Sequence, residues 1–201
     1  RELRGVELAG MVAGPYCARL FADLGAGVVK DEAPAGDGAR RMGPFPGDVP
    51  DPERSGLFFH LNTGKQSVVL DLDRPEDRDR FRQLVADADV LVEDRKPGEL
   101  ARLGLSYEEL CVDNPDLVVV SITPFGQTGP YAEWAGYDLN AFHLSGSSSR
   151  YLGRPGETPL EPGTFAAAYM AGAAWGLGAV LGRDRVGRGQ HVDVSESEVS
   201  A

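Results

Sequence analysis

The stretch Val6–Glu32, VELAGMVAGPYCARLFADLGAGVVKDE, reads as strand, loop, helix and strand. Val6-Glu7-Leu8 is a short strand, and Ala9 to Pro15 is a loop of small residues. Apolar residues then fall at Tyr16, Cys17, Leu20, Phe21 and Leu24, which is a helical period with one apolar face. Pro15 suits a first helical position, where its missing N–H costs nothing. Gly25 stops the helix, and Gly27-Val28-Val29-Lys30 forms a second strand. Two strands joined through a helix lie parallel with a right-handed crossover. The N–H groups opening that helix face the loop and can hold an anion.

Downstream the alternation continues. Asn62-Thr63-Gly64-Lys65 is a turn into a strand over Ser67–Leu72. Asp73 and Glu76 form a capping box for a helix whose buried face is Phe81, Leu84 and Val85. Asp89–Glu93 is a strand, Leu100, Leu103 and Leu105 mark a short helix closing at Gly104, and Ser106 caps another. Leu117–Ile122 is a continuous apolar strand. Gly136–Asn140 and Ser145–Ser148 read as loops, and Phe165–Leu181 as one helix of small residues. Gly187–Gln190 turns into a strand over His191–Val194, and Ser195–Glu198 is a capping box that announces a helix the chain hardly contains. The expected fold is α/β: an open, mostly parallel, Rossmann-like sheet with helices on both faces.

Composition bounds the function. With 201 residues, 42% hydrophobic and 25% charged, one sizeable globular domain is expected. A net charge of −11 argues against nucleic acid, whose binding needs Lys and Arg on phosphates. Two cysteines, Cys17 and Cys111, lie in apolar helical patterns, so a reducing, cytoplasmic compartment is expected rather than a disulfide framework. The uncharged run from Phe165 to Leu181 is at the short end of the ~17–25 residues a membrane span needs, and it is rich in Ala and Gly; a buried helix is expected and no membrane. His60, His143 and His191 are scattered without metal spacing, so each is read as a local hydrogen-bonding or surface residue and no metal is expected. No G-x-G-x-x-G follows the first strand and no P-loop occurs.

In a parallel sheet the loops after the strands share one edge, where such sheets bind ligands. Arg40, Arg41, Arg95 and Lys96 belong to those loops. They form either a patch for a ligand with several phosphates or surface ion pairs with Asp37 and Asp94.

Five segments carry a resemblance: ELAGMVAGPYCARLFADLGAGVVKDEAPAGDGAR from Glu7, LNTGKQSVVLDL from Leu61, VLVEDRKPGELARLGL from Val90, NPDLVVVSITPFGQTGPYAEWAGYD from Asn114, and GRGQHVDVS from Gly187. Together they resemble the family III CoA-transferases of the formyl-CoA and carnitine-CoA type, with the alpha-methylacyl-CoA racemases as relatives. The resemblance implies coenzyme A or an acyl-CoA as ligand and a carboxylic acid as second substrate. CoA would be held by Val12 and Ala13; by Leu70, Asp71, Leu72 and Asp73; by Asp94, Arg95, Lys96 and Arg102; and by Thr123, Pro124, Phe125 and Gly126. It also implies about twice this length and an interlocked dimer, so residues 1–201 would be one CoA-binding domain without the small domain and the C-terminal return.

Three positions depart from the family pattern. Glu93-Asp94-Arg95 stands for E-N-F, trading an aromatic ring for a guanidinium that can stack on adenine or pair with a phosphate. Lys30-Asp31-Glu32 puts a charge where the family has an apolar residue, in a strand expected to be buried. The family's nucleophilic aspartate, counted back from Gly172 or forward from Gly163, is Ala168, and the racemase G-H-D reads Gly136-Tyr137-Asp138. Glu161 and Asp138 are read as the nearest carboxylates, neither at the place of the nucleophile. The implied function is CoA movement between carboxylic acids by a chain without its own nucleophile, as a homodimer or with a nucleophile-bearing partner. The alternatives are an acyl-CoA isomerase, racemase or hydratase, and a non-catalytic CoA-binding subunit.

Overall fold

The computed structural model describes residues 2–148, 154, 156–171 and 173–201. Six parallel strands form one sheet in the order β3-β2-β1-β4-β5-β6. They are β1 (Arg4–Leu8), β2 (Gly27–Glu32), β3 (Gln66–Val69), β4 (Val90–Glu93), β5 (Val118–Thr123) and β6 (His191–Ser195). The helices are α1 (Ala13–Asp23), α2 (Gly56–Asn62), α3 (Pro75–Ala86), α4 (Glu99–Arg102), α5 (Tyr107–Asp113), α6 (Asp138–Leu144), α7 (Ala166–Met170), α8 (Ala173–Val186) and α9 (Glu196–Val199).

The alternating inward residues of the strands divide the core in two. On one face Val28, Val90, Val92, Val118 and Val120 pack against Cys17 and Phe21 of α1, Leu61 of α2 and Val180 of α8. On the other, Val6, Leu8, Leu91 and Val119 pack against Phe81 and Val85 of α3 and Leu110 of α5. Both faces of β4 and β5 are therefore covered, which is why those strands read as continuous apolar runs.

Several boundaries differ from the sequence reading. Helix α1 begins at Ala13, so Pro15 is its third residue; it still lies in the first turn, where a missing N–H breaks no helical bond. Asp73 is not the cap of α3. Pro75 takes the first helical position and holds Arg74 extended at φ −94°, ψ 128°, so Arg74 is the capping residue and no side-chain cap forms. Asp77 instead accepts the Asp71 N–H at 3.0 Å. Helix α2 has no counterpart in the sequence reading; the Ser55 hydroxyl caps it by accepting from Phe58 N–H. Helix α6 replaces the loop expected near Asp138.

The small-residue run Phe165–Leu181 is not one buried helix. The backbone is extended at Ala171 (φ −77°, ψ 140°), which ends α7; Gly172 lies outside the described residues. Met170, Trp175 and Leu181 are exposed. The small side chains serve close packing on the inner side, where a Cβ on Gly176 would meet Val120 Cγ2 at 3.0 Å and Phe21 Cζ at 3.3 Å. No helix among the described residues is long and apolar enough to cross a membrane.

The turn into β6 has a stricter requirement. A Cβ on Gly189 would lie 1.9 Å from the Leu117 carbonyl oxygen, and the Gly189 N–H is bonded to Pro115 O at 2.8 Å. The obstacle is backbone and cannot rotate away. Gly189→Ala is therefore expected to cost about 3 kcal/mol through forced separation of β5 and β6. Urea denaturation reads this directly, and an unchanged midpoint would contradict the packing described.

Candidate functional site

Strands β1 and β4 are neighbours, but β1 leads into α1 on one face while β4 leads toward α5 on the other. Their C-terminal ends open a crevice at this switch point, where doubly wound sheets bind ligands. The loop after β1 is pinned on both sides. Gly10 N–H donates to Asp94 Oδ2 at 2.8 Å, and Met11 N–H donates to Asp37 Oδ1 at 2.9 Å. Met11 is held at φ +56°, a region costly for a side chain with a Cβ, so those two carboxylates fix a strained loop.

Beneath the loop lies a buried charge network. Lys30 Nζ donates to Glu7 Oε1 at 2.7 Å and to Ala9 O at 2.6 Å, and lies 2.9 Å from Asp37 Oδ2. Lys65 Nζ donates to Glu7 Oε2 at 2.6 Å, Pro15 O at 2.7 Å and Asn62 Oδ1 at 2.9 Å. Burial opposes the Lys30 charge, but Glu7 and Asp37 outweigh it and raise its pKa. Burial pulls Lys65 down to about 8 in spite of Glu7. Burial likewise opposes the Glu32 charge, yet hydrogen bonds from Arg40 and Ser67 hold it at about 2.

The basic residues named from sequence serve mostly inside the protein. Arg40 grips both oxygens of Glu32 at 2.7 and 2.8 Å, and its guanidinium lies 3.7 Å from the centre of the Phe58 ring. Arg41 donates to Ala35 O at 3.3 Å, and Arg95 lies 3.9 Å from Glu99. The ion-pair alternative does not hold as read: Asp37 pairs with Lys30, and Asp94 accepts the Gly10 N–H.

A cavity of about 160 Å³ opens beside the crevice. It brings together Leu70, Asp71, Leu72 and Asp73 after β3 with Arg95 after β4 and Asp31 of β2. Val12 and Ala13 are buried in the core, so only their backbone can face a ligand at the loop. Lys96 and Arg102 are exposed and do not line the cavity. Thr123 is buried and its Oγ1 has no hydrogen-bond partner among the described residues; Pro124 and Phe125 are half-buried and Gly126 (φ +82°) faces β6. The chosen segments thus share one edge of the sheet but form two groups, one at β3/β4 and one at β5/β6.

Ala168 packs in the same core cluster as Ile122 of β5 and Val194 of β6. Its side chain is buried, and its N–H donates to Asp138 Oδ1 at 2.8 Å. Asp138 Oδ2 is buried without a hydrogen-bond partner among the described residues, and burial raises the Asp138 pKa. Glu196 at the end of β6 is buried too, and burial, then Asp138 and Asp94, push it up to about 7. Glu161 is exposed. Asp138 is therefore the carboxylate held against this position, and Glu196 is a second buried carboxyl that interacts electrostatically with Asp138. The sequence reading passed over Glu196 because Ser195-Glu196-Ser197-Glu198 shows only a helix start, and nothing in the spacing says that its first Glu turns inward. The three histidines behave as read: His60 meets Arg19 at 2.9 Å, His143 meets Leu160 O at 3.0 Å, and His191 meets Ser121 Oγ at 2.8 Å.

The 3-2-1-4-5-6 parallel sheet is a doubly wound α/β fold, the class in which ligands bind at the C-terminal edge of the strands. The model of CoA-transferase family III matches residues 1–201, and the chain belongs to that family. It is 43% identical over 203 residues to succinyl-CoA:(R)-benzylsuccinate CoA-transferase subunit BbsE of Thauera aromatica, covering 100% of this chain and 49% of that protein. It is 38% identical over 205 residues to the alpha-methylacyl-CoA racemase of Mus musculus, again covering 100% and 49%. A crystal structure of a CAIB/BAIF family protein from Brucella suis superposes with a TM-score of 0.88 at 40% identity, covering 98% of this chain and 53% of the other. The chain spans about half the length of the curated relatives it matches.

Proposed function

We propose that this chain binds CoA thioesters along the C-terminal edge of its sheet and takes part in moving CoA between carboxylic acids, while its own nucleophile position, Ala168, stays chemically silent. The CoA-binding groups in this reading are the backbone at Val12 and Ala13, the Leu70–Asp73 and Asp94–Lys96 segments with Arg102, and the Thr123–Gly126 loop. In the family reaction a carboxylate attacks the thioester carbonyl, the C–S bond breaks, CoA leaves as the thiolate and an acyl anhydride remains on the enzyme. A methyl group cannot form that bond. The carrying observation is that Ala168 occupies a buried place beside Asp138, whose Oδ1 is already held by the Ala168 N–H. The attacking carboxylate would then come from a different, nucleophile-bearing subunit in a heteromer, or from a part of the full-length protein outside these residues. The relative from Thauera aromatica is itself named as a subunit.

The test uses the full-length protein that contains this chain. Incubation with acyl-CoA, hydroxylamine trapping and mass spectrometry should leave residues 1–201 unmodified, with any adduct on a partner subunit or elsewhere in the full-length protein. Ala168→Asp in the same protein is expected to create a trappable hydroxamate at position 168. An adduct on Asp138 or Glu161 of the unmodified protein would overturn the silent-site reading. A second reading is favoured by the unpaired Asp138 Oδ2: proton removal next to the thioester carbonyl, as a racemase or isomerase would require. It predicts deuterium uptake at that carbon from D₂O with no adduct anywhere, and Asp138→Asn abolishing it.

A further inference from the structure

Three short helices pack on one another near the ends of β5 and β6: α6, opened by Asp138, α7, which carries Ala168, and α9, opened by Glu196. The Ser197 N–H donates to Pro124 O at 3.1 Å, so the head of α9 is tied to the loop after β5. Glu196 is 8% exposed, and its carboxyl has no hydrogen-bond or ion-pair partner among the described residues. The charges that act on it are Asp138, beside Ala168, and Asp94, after β4; no cation is among them. The other titratable groups on the elements around it are engaged elsewhere. Tyr169 of α7 meets the Tyr16 ring at 4.7 Å, and His143 of α6 meets Leu160 O. On β6, His191 is bonded to Ser121 Oγ and Asp193 to the Gln127 N–H.

A buried carboxyl without a donor resists ionisation, and burial pushes Glu196 up to about 7. Asp138 has donors. Its Oδ1 accepts the Ala168 N–H at 2.8 Å, and the Ala166 and Ala167 N–H groups also favour its charged form. Where two neighbouring carboxyls share one negative charge, the charge settles on the one with donors and the proton stays on the other. Asp138 is therefore the carboxylate of the pair, and Glu196 is the acid.

Position gives that acid its use. Asp94 belongs to the segments read as holding CoA, and Ala168 stands at the nucleophile's place. A thioester held between them has its C–S bond in the interval, and Glu196 is the buried carboxyl that interacts with both sides. We propose that Glu196 is the general acid for the departing sulfur of the CoA thioester. The attacking carboxylate bonds to the thioester carbon, the C–S bond breaks and its electron pair goes to sulfur. The Glu196 proton follows, so CoA leaves as the thiol and Glu196 remains as a carboxylate. In the return direction Glu196 takes the proton back, and the thiolate attacks the anhydride and expels a carboxylate. This inference rests on the CoA-thioester reading above.

The experiment follows CoA release from acyl-CoA in a single turnover of the full-length protein, quenched and read by chromatography on both sides of neutral pH. The rate should fall above about pH 7, with the loss of one proton. Glu196→Gln keeps the shape of the neutral acid without a proton to give. It should slow release about a hundredfold and abolish the fall, while acyl-CoA affinity by calorimetry stays within about threefold. Glu196→Asp should release CoA more slowly than the parent and keep the fall. Release by Glu196→Gln at the parent rate, or a fall that persists in it, would overturn the proposal while leaving the CoA reading intact. An acyl adduct trapped on Glu196 would also overturn it, since the group would then be a nucleophile. So would acyl-CoA binding with no release of CoA. Absence of acyl-CoA binding would overturn the CoA reading and the proposal with it.

Discussion

Lys30→Met should lower the stability of this protein by about 3–5 kcal/mol, the usual cost of removing one member of a buried ion pair. Lys30 is 1% exposed, and its ammonium is the shared partner of Glu7 and Asp37, which are buried themselves. Methionine fills much the same volume, so packing changes little and the loss isolates the charge. Glu7 would keep Lys65, but Asp37 would face the interior without its cation. Asp37 also holds the Met11 and Ala39 N–H groups. The loop after β1 should therefore loosen along with the core, and CoA binding should weaken in the same variant. Chemical denaturation compared with Asp37→Asn/Lys30→Met separates the terms: the double variant should recover part of the loss, because it removes the uncompensated charge. A single variant as stable as the parent would mean that the network contributes nothing net.

Acidification should stabilise the protein over a range where most proteins begin to lose stability. Burial is the first cause in all four of the carboxyls concerned. It pushes Asp31 and Asp94 from 3.8 to about 6, and Glu93 and Glu196 from 4.5 to about 7. A carboxyl with a raised folded-state pKa binds more protons when folded. Its contribution is complete below its unfolded value and is lost as pH rises through its folded value. Stability should accordingly fall between about pH 4.5 and 7.5, and a single group shifted this far contributes on the order of 3 kcal/mol. Other groups act in the opposite sense. Glu32, held at about 2, stabilises above its ordinary value of 4.5 and fails only at stronger acid. His191, lowered by burial, favours higher pH, but it is one group against four. Urea midpoints measured at intervals across the window test this, and a midpoint that rises with pH would contradict it. Binding of a ligand or partner at the edge that supplies hydrogen-bond donors to these carboxylates should flatten the slope.

Much of the fold was legible from local physics. Glycines at Gly25 and Gly104, both at positive φ, end helices where the periodicity does. The Ser106 capping box forms as read, with Glu109 reaching back to the Ser106 N–H at 2.9 Å. Leu117–Ile122 is a buried strand because its apolar run is too continuous for a half-exposed one. Alternation of strand and helix implied a parallel sheet, and a parallel sheet places every following loop on one edge. The family words and the alanine at position 168 are equally properties of the chain alone.

What the chain could not disclose is which charges meet. Lys30, Asp31 and Glu32 are three consecutive polar residues in a buried strand, and no local rule explains them. Alternation sends Lys30 to Glu7 and Asp37 under the β1 loop, and sends Asp31 to the other side, toward Leu70 and the cavity that also holds Arg95. Glu32, on the Lys30 side, meets Arg40 and Ser67. Those partners lie 7 to 64 residues away in the chain, and the register of β2 against β1 and β3 brings them together. The same holds at Ala168, where Asp138 and Glu196 arrive from elements on opposite sides of it in sequence. Local sequence determines periodicity, caps and turns because those depend on near neighbours. The pairing of buried charges depends on strand order and register, which no single segment encodes.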